Sequence, residues 1–173
     1  SSRDLRSWNR LGERQPFIGH STIESGAYDL NGLMPPSKAI LKDDELWFYY
    51  SGSRHRQEPP DADPKRSAAC LAVLRRDGFI SMDVGADSGA LLTESFLLPS
   101  PRLFANVDAT GGSVQMELLD GSGATIAESE PIKGDHPRYP VQWRTGDLAT
   151  EVNRPVQLRF EANESSIYSY WFE

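Results

Sequence analysis

Two stretches of this chain are apolar without interruption. In DDELWFYYSGSRHRQ, Leu46 to Tyr50 places five large residues in a row, four of them aromatic. In AACLAVLRRDGFISM, Ala68 to Leu74 runs through seven apolar residues. A strand with one wet face alternates, whereas strands that read this way are covered on both faces. With Leu33–Leu41 and Phe79–Met82 they predict an up-and-down antiparallel unit of about four strands, the size of one propeller blade. Asp43-Asp44 and Arg76-Asp77-Gly78 supply turns, because Asp and Gly tolerate positive φ. The loop between the two apolar runs carries Arg54, His55, Arg56, Glu58, Asp61 and Asp63. A long charged loop on a rigid hairpin is a common place for binding chemistry.

After Gly89 the pattern becomes strict alternation, as in Val114-Gln115-Met116-Glu117-Leu118 and Val156-Gln157-Leu158-Arg159-Phe160. Period two means one buried and one wet face, as in a two-sheet sandwich. Strands are expected at 91–98, 103–109, 113–119, 125–129, 141–143, 155–162 and 166–172. Gly111-Gly112, Asp120-Gly121, Gly134-Asp135 and Asn163-Glu164 read as their turns. The expected core is Val107, Met116, Leu118, Trp143, Leu158, Phe160, Tyr168 and Tyr170. The fold class is therefore all-β: a propeller-blade-like antiparallel unit over 1–85, then a β-sandwich over 86–173.

Charge divides at the same place. Residues 1–85 carry 12 Lys/Arg against 12 Asp/Glu, and residues 86–173 carry 6 against 13, which accounts for the net −7. An acidic balance argues against a nucleic-acid partner. No run reaches membrane-span length and no signal-like apolar segment opens the chain, so no membrane partner is expected and the location is left open. The single Cys70 lies in an apolar run, reads as a small buried hydrophobe and cannot form an internal disulfide. His20, His55 and His136 show no metal-ligand spacing. A structural calcium on Asp61, Asp63 or Asp135 is the one ion the acids admit, without the regularity of a calcium loop. No nucleophile elbow, phosphate loop or dinucleotide fingerprint is present, so no cofactor is expected. Asn163-Glu164-Ser165 matches the glycosylation sequon.

The order of several pieces, Tyr28-Asp29, DELWFYYSG, LAVLRRDGFIS, LFANVD, VQMELLDGSG, PVQW, PVQLRFEAN and IYSYWF, resembles the C-terminal third of five-bladed β-propeller glycoside hydrolases. These are the invertase/fructosidase-like and arabinanase-like group, with a closer likeness to bacterial hydrolase-like proteins of unknown substrate. Ser2-Arg3-Asp4 followed by Trp8 resembles a shortened Asp-box, the hairpin turn of some sugar-hydrolysing propellers. The resemblance implies a last blade leading into a sandwich, a carbohydrate ligand, and catalytic carboxylates spread over several blades. This chain would then hold an incomplete catalytic set and would meet the remaining blades or another chain. If the strand over 33–41 and the one over 45–51 run antiparallel, Glu24, Tyr28, Asp29, Arg54 and His55 gather at one end of the blade. There a carboxylate accepts from hydroxyls, Arg54 and His55 donate, and Tyr28 stacks on a sugar ring. The leading expectation is a glycan-processing hydrolase portion supplying rim residues. The alternatives are a self-contained lectin-like sandwich and a structural accessory domain.

Overall fold

The computed structural model describes residues 2, 4–12, 15–35, 38–55 and 64–173. The chain is all-β and divides into two compact units, 1–76 and 77–173.

The first unit is one antiparallel sheet of β1 (Gly32–Met34), β2 (Ile40–Lys42), β3 (Glu45–Ser53) and β4 (Ser67–Arg75). Central β3 pairs with β4 along its whole length, from Glu45↔Arg75 to Ser53↔Ser67. Its other edge is shared end to end: β1 takes Ser51 to Ser53 and β2 takes Glu45 to Trp47. The single strand expected over 33–41 is thus broken. Pro35, which has no N–H to give the ladder, follows β1 directly. Asp43 takes the left-handed turn between β2 and β3 at φ 53.

The β3 side chains divide by parity. Phe48 is buried, with the Phe17 ring edge-on at 5.0 Å, so residues near Phe17 cover this face. On the opposite face Tyr49 is 51% exposed beside Leu71 and Val73, which are also exposed. Among the described residues the expectation of two covered faces is met on one only, because there the first unit has a single sheet with the Phe17 segment on one side. Trp47 is half-buried, with the Lys42 ammonium 4.0 Å over its ring and its Nε1 donating to Glu45.

The second unit begins earlier than the sequence pattern placed it. Asp77 turns at φ 55, and β5 (Met82–Val84), instead of joining the first sheet, pairs with β13 (Ser165–Phe172). The remaining strands are β6 (Gly89–Leu92), β7 (Phe96–Leu97), β8 (Leu103–Asp120), β9 (Thr125–Ser129), β10 (Ile132–Pro140), β11 (Trp143–Thr145) and β12 (Pro155–Asn163). The strand expected over 91–98 is interrupted between β6 and β7. Those expected over 103–109 and 113–119 are one strand of 18 residues, β8. Its first half pairs with β10 and β13, and its second half with β9 and β12.

Gly111-Gly112 is therefore a bend inside β8 and not a hairpin turn. A Cβ on Gly112 would collide with the Asn163 carbonyl, so glycine lets the bent strand lie against the junction of β12 and β13, where Asn163-Glu164, expected as a turn, is a one-residue break in a strand line that stays paired with β8. Asn163 Oδ1 accepts from both Ser113 N–H (2.9 Å) and Ser113 Oγ (3.1 Å) and fixes the bend.

Both halves of β8 feed one core. Val107, Met116, Leu118, Leu158 and Phe160 are fully buried, and Trp143 and Tyr170 pack against them. Tyr168 is half-buried. Trp171 faces the other way and stacks on Phe104 at 5.7 Å. On the outer face Glu117 and Glu128 stand directly opposite each other on β8 and β9. Arg159 of β12 binds Glu117 and Arg144, beside β9, binds Glu128, so the two acids are separated by their own cations.

Phe160→Ala is expected to cost about 3–5 kcal/mol, as a buried aromatic leaves a cavity in a packed core. Gly112→Ala is expected to cost about 1–3 kcal/mol through overpacking. Urea unfolding of the intact chain measures both, and a cost below about 0.5 kcal/mol for Gly112→Ala would remove the close approach as the reason for that glycine.

Candidate functional site

The site expected from sequence lies in the first unit, where residues 20–31 close over the end of β3. A 3-10 turn, Ile23–Ser25, is ended by Gly26 in the left-handed region (φ 69). The chain then descends to Asp29, which is only 7% exposed. Gly52 of β3 permits this approach, since a Cβ there would lie 2.9 to 3.0 Å from Asp29 Cβ, Cα and N. Asn31 ties the segment to the sheet, its N–H donating to Ser53 O (3.0 Å) and its Nδ2 to Arg54 O (2.5 Å).

Asp29 is held from two sides. The Tyr50 hydroxyl donates to its Oδ2 at 2.7 Å. Hydrogen bonding from Ser21, then from Tyr50, holds the carboxyl below its ordinary range, with a smaller contribution from the charge of His20. Tyr50 in turn is pushed well above the ordinary phenol range, first by its bond to Asp29 and then by burial. His20 Nδ1 lies 2.9 Å from the Leu30 carbonyl, so Nδ1 carries the donated proton. Asp29 is thus an ionised acceptor at neutral pH and not a proton donor.

Arg54, one residue beyond β3, binds the same segment through backbone oxygens. Its Nε donates to Ala27 O (3.2 Å) and its Nη2 to Gly26 O (2.6 Å), and its guanidinium sits 4.3 Å over the Tyr28 ring. The structure therefore gathers Asp29, Tyr28 and Arg54. Glu24 is exposed on the 3-10 turn that Arg54 anchors, and His55 is exposed just past β3, its carbonyl accepting from Ser53 Oγ at 2.8 Å. Both flank the cluster rather than hold Asp29. Tyr50 also lines an apolar hollow of about 290 Å³ with Pro16, Phe17, Ile18, Leu33 and Met34.

Sequence reasoning missed Tyr50, Ser21, His20 and Gly52. The parity of β3 carried the signal for two of them, because Phe48, Tyr50 and Gly52 share one face. Near the N-terminus, Asp4 Oδ1 accepts from the N–H groups of Arg6 and Ser7, both at 2.8 Å, and from Ser2 Oγ, which pulls its carboxyl down to about 2. This is a local acid-centred turn.

Among the described residues no three His, Cys, Asp or Glu side chains gather as a metal site. Asp61 and Asp63 lie outside the described residues, and Asp135 sits in β10. No helix among the described residues is long and apolar enough to cross a membrane. Comparison with protein-family models, curated proteins and solved structures gives no match.

The Asp29 pKa is depressed in the folded state, so its contribution to stability is present above the unfolded value of 3.8 and lost as pH falls through the lower folded value. Tyr50→Phe removes one donor and should cost about 1–2 kcal/mol at neutral pH. The same change raises the Asp29 pKa and shrinks the acid-induced loss. Thermal melts of both proteins between about pH 2 and 7 test this, and identical pH slopes would show that the hydroxyl does not hold the carboxylate.

Proposed function

We propose that this chain is the carbohydrate-binding C-terminal portion of a glycoside-hydrolase-like protein, its first unit supplying the rim of a glycan site. The supporting observation is the cluster around Asp29: an ionised carboxylate fixed by Tyr50, a guanidinium stacked on Tyr28, and an apolar hollow to which Phe17 and Tyr50 contribute rings. A sugar offers hydroxyls to acceptors and donors, and apolar ring faces to aromatic side chains. Glu24 and His55 stand at the exposed margin of this cluster and would meet the ligand directly.

The chemistry assigned here is binding without hydrolysis. Glycoside cleavage needs a carboxylic acid that keeps its proton near neutral pH, plus a second carboxylate at about 5–9.5 Å. The depressed Asp29 suits a ligand acceptor or the ionised partner and not the acid. A second reading, a self-contained non-catalytic binding module, draws support from the second unit, which has a complete core of its own.

A glycan array probed with the intact chain tests the proposal. Glu24→Gln and His55→Ala alter exposed side chains, so each is expected to weaken binding about threefold to tenfold while leaving the melting temperature unchanged. Binding that survives both changes, together with Asp29→Ala, would overturn the rim. Hydrolysis of any bound glycan by the chain alone would overturn the claim of an incomplete catalytic set.

A further inference from the structure

The second unit carries a polar groove of about 390 Å³ on the outer face of β6, β12 and the second half of β8. Its walls are set by strand register. Gln115 stands opposite Glu161, and Ser113 opposite Asn163. Ala90 stands opposite Glu161 on the other flank. Successive side chains point to opposite faces, so Ala90, Glu161 and Gln115 share the outer surface, while Ala162, next to Glu161 on β12, turns its side chain into the core. At Gly89 a Cβ would point at Val84 Cγ1, 3.1 Å away, and so inward. The floor is therefore backbone and one methyl group, and the walls are amide, carboxylate and hydroxyl.

These polar groups have hydrogen-bonding capacity to spare. Asn163 uses Oδ1 to accept both bonds from Ser113, which fixes the amide orientation and turns its Nδ2 donors away from that contact. Among the described residues the Gln115 amide has no hydrogen-bond partner. Glu161 has one long contact, to Arg159 Nε at 3.5 Å, and its side chain is 55% exposed. Donors and acceptors thus face each other across β8 and β12 at the spacing of cross-strand neighbours, about 4.5–5.5 Å, with the Ala90 methyl of β6 beside them. Vicinal hydroxyls require both kinds of partner. The carboxylate opposes anionic ligands, and the groove offers no aromatic platform for flat apolar ones.

We infer that this groove is a second carbohydrate site, taking a neutral polyhydroxylated ligand by hydrogen bonding alone. Glu161 and the Gln115 carbonyl accept from hydroxyls, while the Gln115 and Asn163 amide N–H groups donate. The site lies wholly in the second unit and does not depend on the Asp29 cluster.

Residue-resolved NMR of the intact chain, titrated with the neutral oligosaccharides of a defined glycan array, tests the inference. The expected result is saturable shifts at Ala90, Ser113, Gln115 and Glu161. Gln115→Ala and Glu161→Ala are each expected to lower affinity at the groove about tenfold without moving the melting temperature. Shifts confined to residues 20–55 would overturn the groove and retain the first-unit rim. Shifts confined to the groove would support this inference and overturn the rim. Binding of no neutral oligosaccharide would overturn both. Ala90→Phe, outward-facing and tolerated by the fold, blocks the floor. Undiminished groove shifts in that variant would also overturn the inference.

Discussion

The bend of β8 against the Asn163 carbonyl is the constraint on which the second unit depends. Between Ser113↔Asn163 and Asp108↔Ser166 four residues of β8 face two on the opposite side, and this irregularity needs backbone to lie where a side chain would stand. Glycine at 112 supplies the space, and Asn163 supplies the hydrogen bonds that specify the angle. The junction that follows Asn163 is itself constrained, with Glu164 in the left-handed region at φ 39 and its N–H donating to Gly85 O. Once this corner is set, Val107 and Ala109 on one side and Val114 and Met116 on the other enter the same core. The burial of Phe160 and Leu158 follows from the pairing of β12 with the second half of β8.

A similar close approach organises the first unit, with a different source of stability. Gly52 lets the 20–31 segment reach the sheet, but among the described residues of this unit Phe48 is the one large apolar side chain that is buried. Order at this end rests on directional bonds: Tyr50 to Asp29, Asn31 to Ser53 and Arg54, and Arg54 to Gly26 and Ala27. A charged hydrogen bond contributes roughly 1.5–3 kcal/mol, so a short network of this kind can fix a segment that lacks an apolar anchor. The same bonds keep Asp29 ionised. Positioning and electrostatics are here one device.

Much of this was legible in the sequence because it depends on parity. Alternation in 114–118 and 156–160 identified the core residues of the sandwich, and the fold class followed. Features set by long-range contact were not legible. Gly111-Gly112 has the local composition of a hairpin turn, and only the approach of Asn163, 51 residues beyond Gly112, makes it a bend within one strand. Pro35 and the outward half of LWFYYS divided what hydropathy read as continuous and fully covered. Of the expected site residues, Asp29, Tyr28 and Arg54 come together, while Glu24 and His55 remain at the margin. Tyr50 escaped notice because its aromatic neighbours made it look like core, although its hydroxyl is the group that holds the acid.

The distribution of charge narrows what the second unit can bind. Residues 86–173 carry 13 acids against 6 cations. Four of those cations, Arg138, Arg144, Arg154 and Arg159, are committed to acids of the same unit, at Glu173, Glu128, Glu151 and Glu117. Exposed pairs of this kind contribute little to stability, but they remove cations from the surface that could otherwise meet a phosphate or carboxylate. The remaining acids, Glu161 among them, leave a field that disfavours anions and favours ligands whose hydroxyl protons can be donated. A surface on which four of six cations are paired internally, and whose groove offers carboxylate, amide and hydroxyl groups, is matched to neutral polyols.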